Sequence, residues 1–141
     1  TSADKHKFNG QFGQKTLIMR LERGLPAIAL GANPALTTAL LNDNDEKEIL
    51  FAQELFVLGQ PGDVLLGIST SGNAQNVLLA VSVARACGLR TIALTGREGG
   101  LLKKTVEVAI VAPGRSTREI QQAHQIIYHT LCLMLEEAFY R

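Results

Sequence analysis

The chain has no tryptophan and only five phenylalanines and two tyrosines in 141 residues, too few rings for a platform on which nucleic-acid bases could stack. Charge of one sign is also missing: 14 Lys and Arg against 13 Asp and Glu leave a formal net charge of +1. That balance supplies no broad basic field, so direct nucleic-acid binding is not expected. There is no run of 18 or more apolar residues and no signal-peptide pattern, so the expectation is no membrane partner and a cytoplasmic location. Cysteine is scarce. Cys87 and Cys132 have no metal-ligand spacing and are expected to serve as small buried hydrophobes. An initiator methionine is absent as well, Thr1 opening the chain, and residues upstream of it are expected to be missing.

What remains is 46% hydrophobic and 19% charged, enough apolar material for the core of one domain over residues 1–141. From Pro26 onward short apolar runs alternate with longer amphipathic ones, the pattern of a parallel sheet covered by helices. Pro26 to Gly31, Val64 to Ile68, Thr91 to Leu94 and Val106 to Val111 are expected strands. Helices are expected at Pro34 to Leu41, Glu46 to Leu58, Ala74 to Cys87, briefly at Leu101 to Lys104, and at Ser116 to Tyr140. Val64 to Ile68 has no polar alternation, which predicts a central strand buried on both faces. The last helix is apolar around much of its circumference, with Ile120, Ile127, Leu131 and Leu135 on one stripe and Ile126, Leu133 and Met134 beside it. Burial on several sides follows, and a subunit interface is the expected reason. Thr1 to Leu25 is read as a loop and helix.

The chemistry concentrates at Ser69-Thr70-Ser71-Gly72-Asn73, where the strand from Val64 runs into three hydroxyl residues, a glycine and a helix. Free backbone N–H groups at that helix start, aided by the helix dipole, suit an anion, and phosphate is the expected guest. Ser71 or Asn73 could instead cap the helix, but capping needs one hydroxyl and three are present. Thr95 to Gly100 forms a second strand-to-helix loop; Gly96, Gly99 and Gly100 would admit a ligand near the backbone, and turn geometry alone would also justify them. The acidic run Asp43, Asp45, Glu46 and Glu48 and the pair Lys103 and Lys104 are expected to be solvated.

Gly62 to Asn73, followed by Thr91-Ile92-Ala93-Leu94-Thr95-Gly96, resembles the sugar isomerase (SIS) domain. Among its members the chain is most similar to bacterial phosphoheptose isomerases and to the non-enzymatic SIS protein that associates with the replication initiator. The similarity extends to Pro26–Leu30, Asn42-Asp43 and Ile120-Gln121 with His124 and His129. It implies a three-layer α/β sandwich with a mostly parallel, flavodoxin-like sheet, a homotetramer, and a sugar phosphate held by loops after the strands. It further implies that the family's first strand precedes Thr1 and that Ser2 ends a ligand loop. Ser69, Thr70, Ser71, Gly72, Asn73 and Gln121 correspond to ligand-binding positions, and His129 to a catalytic acid/base.

Isomerisation of the sugar also needs a carboxylate base. The family's glutamate falls at Gln11, which cannot act as one, and its metal-ligating histidine falls at Lys7, so no cofactor or metal is expected. Ala74 stands where a phosphate-contacting serine is common and Ala32 where an aspartate is common. Isomerisation of sedoheptulose 7-phosphate is the leading expectation. Its rival is a regulatory or interaction protein that binds the phosphosugar without turning it over. An SIS regulator joined to a DNA-binding domain would need a further domain that these residues do not contain. His124 is expected to be a hydrogen-bonded packing residue.

Overall fold

The structure, a computed structural model, describes residues 19–22 and 24–140; Ser2, Lys7 and Gln11 lie outside them. The element order is α1 (Pro34–Asp43), a 3₁₀ turn (Lys47–Ile49), α2 (Leu50–Leu58), β1 (Val64–Ser69), α3 (Gln75–Ala86), β2 (Arg90–Gly96), α4 (Leu102–Thr105), β3 (Val108–Ala112) and α5 (Thr117–Tyr140). The strands form one parallel sheet in the order β1-β2-β3. Pairing Leu65 with Thr91, Gly67 with Ala93 and Ser69 with Thr95 places the last residue of β1 beside the penultimate one of β2. The C-terminal ends of these two strands therefore lie side by side, and the loops leaving them become neighbours.

One face of the sheet is well covered. Val77, Ala80, Val81 and Ala84 of α3 are buried with Leu65 and Ala93, and Leu55 of α2 closes the same cluster. Gly67 is where α3 comes nearest, since a Cβ there would lie 2.9 Å from Val77 Cγ1. Close approach of this kind needs a residue without a side chain. The segment between α3 and β2 is tied down by Leu89 N–H donating to Ala84 O at 2.9 Å and Gly62 N–H to Gly88 O at 3.0 Å.

The opposite face is covered only in part, by the first turns of α5. Ile120 is fully buried against Gly96, where a Cβ would lie 2.5 Å from Ile120 Cγ2. Beyond that contact the apolar side chains of β1 stay bare: Val64, Leu66 and Ile68 are 59%, 39% and 47% exposed. β1 is thus not the doubly buried central strand its composition predicts; among the described residues it pairs on one edge alone, and β2 is the central strand. Within the single chain α5 buries only Ile120 and His124. Ile126, Leu133, Met134, Leu135 and Phe139 are exposed.

Pro26 to Gly31 forms no strand. Strand-forming residues become a strand only when a ladder takes up their N–H and C=O groups, and no described segment offers one here. The turn at its end is held instead by a side chain: Gly31 N–H donates to Glu54 Oε2 of α2 at 2.6 Å.

Candidate functional site

Each of the two adjacent loops is folded on itself, and both are then fastened together. In the loop after β1, Gly72 N–H donates to Ser69 O at 3.0 Å and Asn73 N–H to Ser71 Oγ at 3.2 Å. In the loop after β2, Gly99 N–H donates to Gly96 O at 2.9 Å. Across them, Leu102 N–H reaches Gly72 O and Leu101 N–H reaches Asn73 Oδ1, both at 2.9 Å. The backbones pass so closely that a Cβ on Gly72, whose φ is +67°, would lie 1.9 Å from Gly99 O. That explains the glycines: Gly72 and Gly100 let one loop brace the other, since a Cβ on Gly100 would lie 2.5 Å from Ser71 O.

Ser71 and Asn73 do not cap α3. Its N-cap residue is Ala74, which makes no side-chain capping bond. Val77 N–H is bonded to Asn76 Oδ1 at 2.9 Å, whereas Gln75 and Asn76 supply N–H groups of the first turn, which have no partner within a helix. These donors sit where the helix dipole is positive. Ser69, Thr70 and Ser71, each carrying a hydroxyl, line a cavity of about 420 Å³ together with Ala74 and Asn76 of this helix start. Free donors, a positive dipole end and three hydroxyls form a cradle for an oxyanion such as a phosphate.

The rest of the cavity comes from elsewhere in the fold. Phe51 of α2 and Ile68 of β1 give it an apolar side, and Asn76, Gln121 and His124 add polar groups. Gln121 reaches it because α5 begins with a capping box: Glu119 N–H donates to Ser116 Oγ at 3.3 Å while Ser116 N–H donates to Glu119 Oε2 at 3.4 Å. Arg115 N–H adds a 2.7 Å bond to the same carboxylate. The backbone bonds from Arg115 and then Ser116 hold the Glu119 carboxyl below the ordinary glutamate value, because they stabilise the charged form.

Among the sequence-predicted site residues, Ser69, Thr70, Ser71 and Gln121 share this cavity, and Gly72 and Asn73 form the brace behind it. His129 lies elsewhere. Eight residues, or about 12 Å of helix, beyond Gln121, it lines a separate depression with Cys132, Leu133 and Glu136, its ring edge-on to Tyr128 at 4.9 Å. Cys132 is exposed, contrary to the expected burial, while Cys87 is partly buried. His124, expected to pack, is 4% exposed with Nε2 3.0 Å from Thr95 O, and it lines the cavity too. Its position three residues after Gln121 could have signalled this, because i and i+3 are neighbours on a helix. Phe51 carried no such signal, since only the packing of α2 brings it to the loop.

Comparison with known proteins agrees with this fold. The SIS domain family is matched over residues 9–96. Phosphoheptose isomerase of Trichlorobacter lovleyi is 38% identical over 141 residues, covering 99% of this chain and 70% of the relative. The enzyme of that name from Nitratiruptor sp. is 45% identical over 117 residues, covering 83% and 62%. The solved structure of phosphoheptose isomerase from Neisseria gonorrhoeae superposes with a TM-score of 0.76 at 37% identity, covering 80% of this chain and 62% of that one. The fold and the hydroxyl loop thus define a sugar isomerase domain. The chain belongs to the SIS domain family and, within it, to the phosphoheptose isomerases. It spans 62% to 70% of the length of these three relatives.

Proposed function

We propose that this chain forms the phosphosugar-binding core of a phosphoheptose isomerase acting on sedoheptulose 7-phosphate. The observation that carries the proposal is the braced Ser69–Asn73 loop, whose hydroxyls and uncapped helix start form an anion cradle opening into a cavity with further polar groups. In this reading the cradle holds the phosphate and Gln121 meets the sugar.

Chemistry at the sugar moves a carbonyl between C1 and C2: a base takes a proton from one carbon and delivers it to the other, while a proton shifts between the two oxygens. No oxidant or reductant is consumed. His129 is the proposed acid/base. It stands apart from the cradle of its own chain, which supports a site completed between subunits. The exposed apolar residues of α5 support the same conclusion, for a bare surface of that kind marks an interaction site, and a homotetramer is the proposed assembly, in the cytoplasm. Among the described residues no three His, Cys, Asp or Glu side chains converge on a metal position.

A second reading is favoured by one feature of the sequence. Gln11 stands where the family's glutamate is expected, outside the described residues, and an amide cannot accept the carbon-bound proton. In that reading the protein binds the phosphosugar as a sensor or interaction module. Assaying conversion of sedoheptulose 7-phosphate by the unaltered protein and by His129→Ala separates the two. Turnover that His129→Ala abolishes is expected; equal turnover in both removes His129 from the mechanism. Binding with no turnover selects the sensor.

A further inference from the structure

We infer that His124 is a positioning residue for this site, fixing the rotation of α5 so that Gln121 faces the hydroxyl loop; the inference rests on the phosphosugar reading above. A carbonyl oxygen can only accept. The 3.0 Å contact with Thr95 O therefore places the ring proton on Nε2. In the neutral ring Nδ1 then carries the lone pair.

The contact sits at a decisive place. Thr95 is the register partner of Ser69, so the carbonyl held by His124 is one strand away from the first hydroxyl of the cradle. Ile120, one turn earlier on α5, packs against Gly96, the next residue of β2. These two are the buried residues of the helix, and they do different things. Packing of Ile120 is non-directional and holds α5 to the sheet. The His124 hydrogen bond is directional and sets which way the helix faces. Gln121 lies between them in sequence and lines the same cavity as His124 and Ser69. A small rotation about the Ile120 contact would carry its carboxamide away from the hydroxyls. A purely structural histidine would stabilise the fold without coupling to Gln121.

A double-mutant cycle on sedoheptulose 7-phosphate binding, read by titration calorimetry, distinguishes these roles. His124→Phe keeps a flat ring and deletes the donor; it is expected to weaken binding roughly tenfold, the effect of one lost hydrogen bond. In a Gln121→Ala background the same change is expected to cost less than twofold, because there is no longer a carboxamide to orient. His124→Gln retains a donor and is expected to restore most of the affinity, which keeps the test open should the Phe variant fail to fold. Full additivity in the cycle, or unaltered affinity in the His124→Phe variant with only a lowered melting temperature, overturns the inference while leaving the phosphosugar reading in place. No binding by the unaltered protein overturns both. Independently of any ligand, long-range proton–nitrogen correlations from the His124 ring are expected to show the Nε2–H tautomer, and the Nδ1–H form would contradict the geometry.

Discussion

The loops leaving β1 and β2 and the far half of α5 are opposites within one small fold. The loops are fastened to each other by two 2.9 Å hydrogen bonds and by backbone contact that only glycine permits. The far half of α5 leaves Ile126, Leu133, Met134, Leu135 and Phe139 exposed. The first region is braced within the chain, which holds its donors in place before a ligand arrives. The second presents apolar surface of the kind that another surface covers.

The largest expected effect comes from breaking the brace. Gly72→Ala adds a Cβ where the Gly99 carbonyl stands and forces a side chain into a positive-φ conformation, and the sum of strain and overpacking is expected to cost roughly 3 kcal/mol. Urea denaturation checks it, and a variant as stable as the parent would mean that the loops are not bound together as described. On the other side of the comparison, Leu133→Glu is expected to leave the stability of a single chain nearly unaltered. Its effect should fall on assembly, removing about 2 kcal/mol of apolar burial per contact made. Light scattering should then report a lower mass than the parent's; an equal mass would show that Leu133 is in no interface.

A milder cut to the brace is Asn73→Ala, which removes the bond to Leu101 N–H and is expected to cost about 1 kcal/mol, again by urea denaturation. The smallest effect concerns Glu119. Its carboxyl titrates lower in the folded chain than in the unfolded one, so the stabilisation is present above the ordinary glutamate value and is lost as pH falls through the lower, folded value. Glu119→Gln is therefore expected to flatten the acid limb of a stability–pH profile slightly and leave the neutral region nearly level. A steeper acid limb would reverse the assignment.

The comparison also shows what sequence could convey. The strand, hydroxyl loop and helix from Val64 to Ala86 were legible because their signals are local: an unbroken apolar run, small residues at the turn, then helical periodicity. Exposure was not legible in the same way. Val64, Leu66 and Ile68 are as apolar as a doubly buried strand requires, yet burial depends on what lies across from them, and α5 covers only the neighbouring strands. Pro26 to Gly31 failed for a related reason, its composition favouring a strand that needs a ladder partner. Within the site, the three hydroxyls were read from the strand-to-helix loop itself and Gln121 through the family pattern. His124 packs and hydrogen-bonds as expected, but that it also lines the cavity was not foreseen, because spacing along one helix does not reveal what the sheet places beneath it.

The central claim is that the β1 loop grips the phosphate of a sugar. Its most direct test is calorimetric titration of sedoheptulose 7-phosphate into the unaltered protein and into the Ser69→Ala/Ser71→Ala double variant. With two hydroxyl contacts removed, affinity is expected to fall on the order of 100-fold, with inorganic phosphate competing against the sugar phosphate in the unaltered protein. Equal affinity in the two proteins would contradict the account.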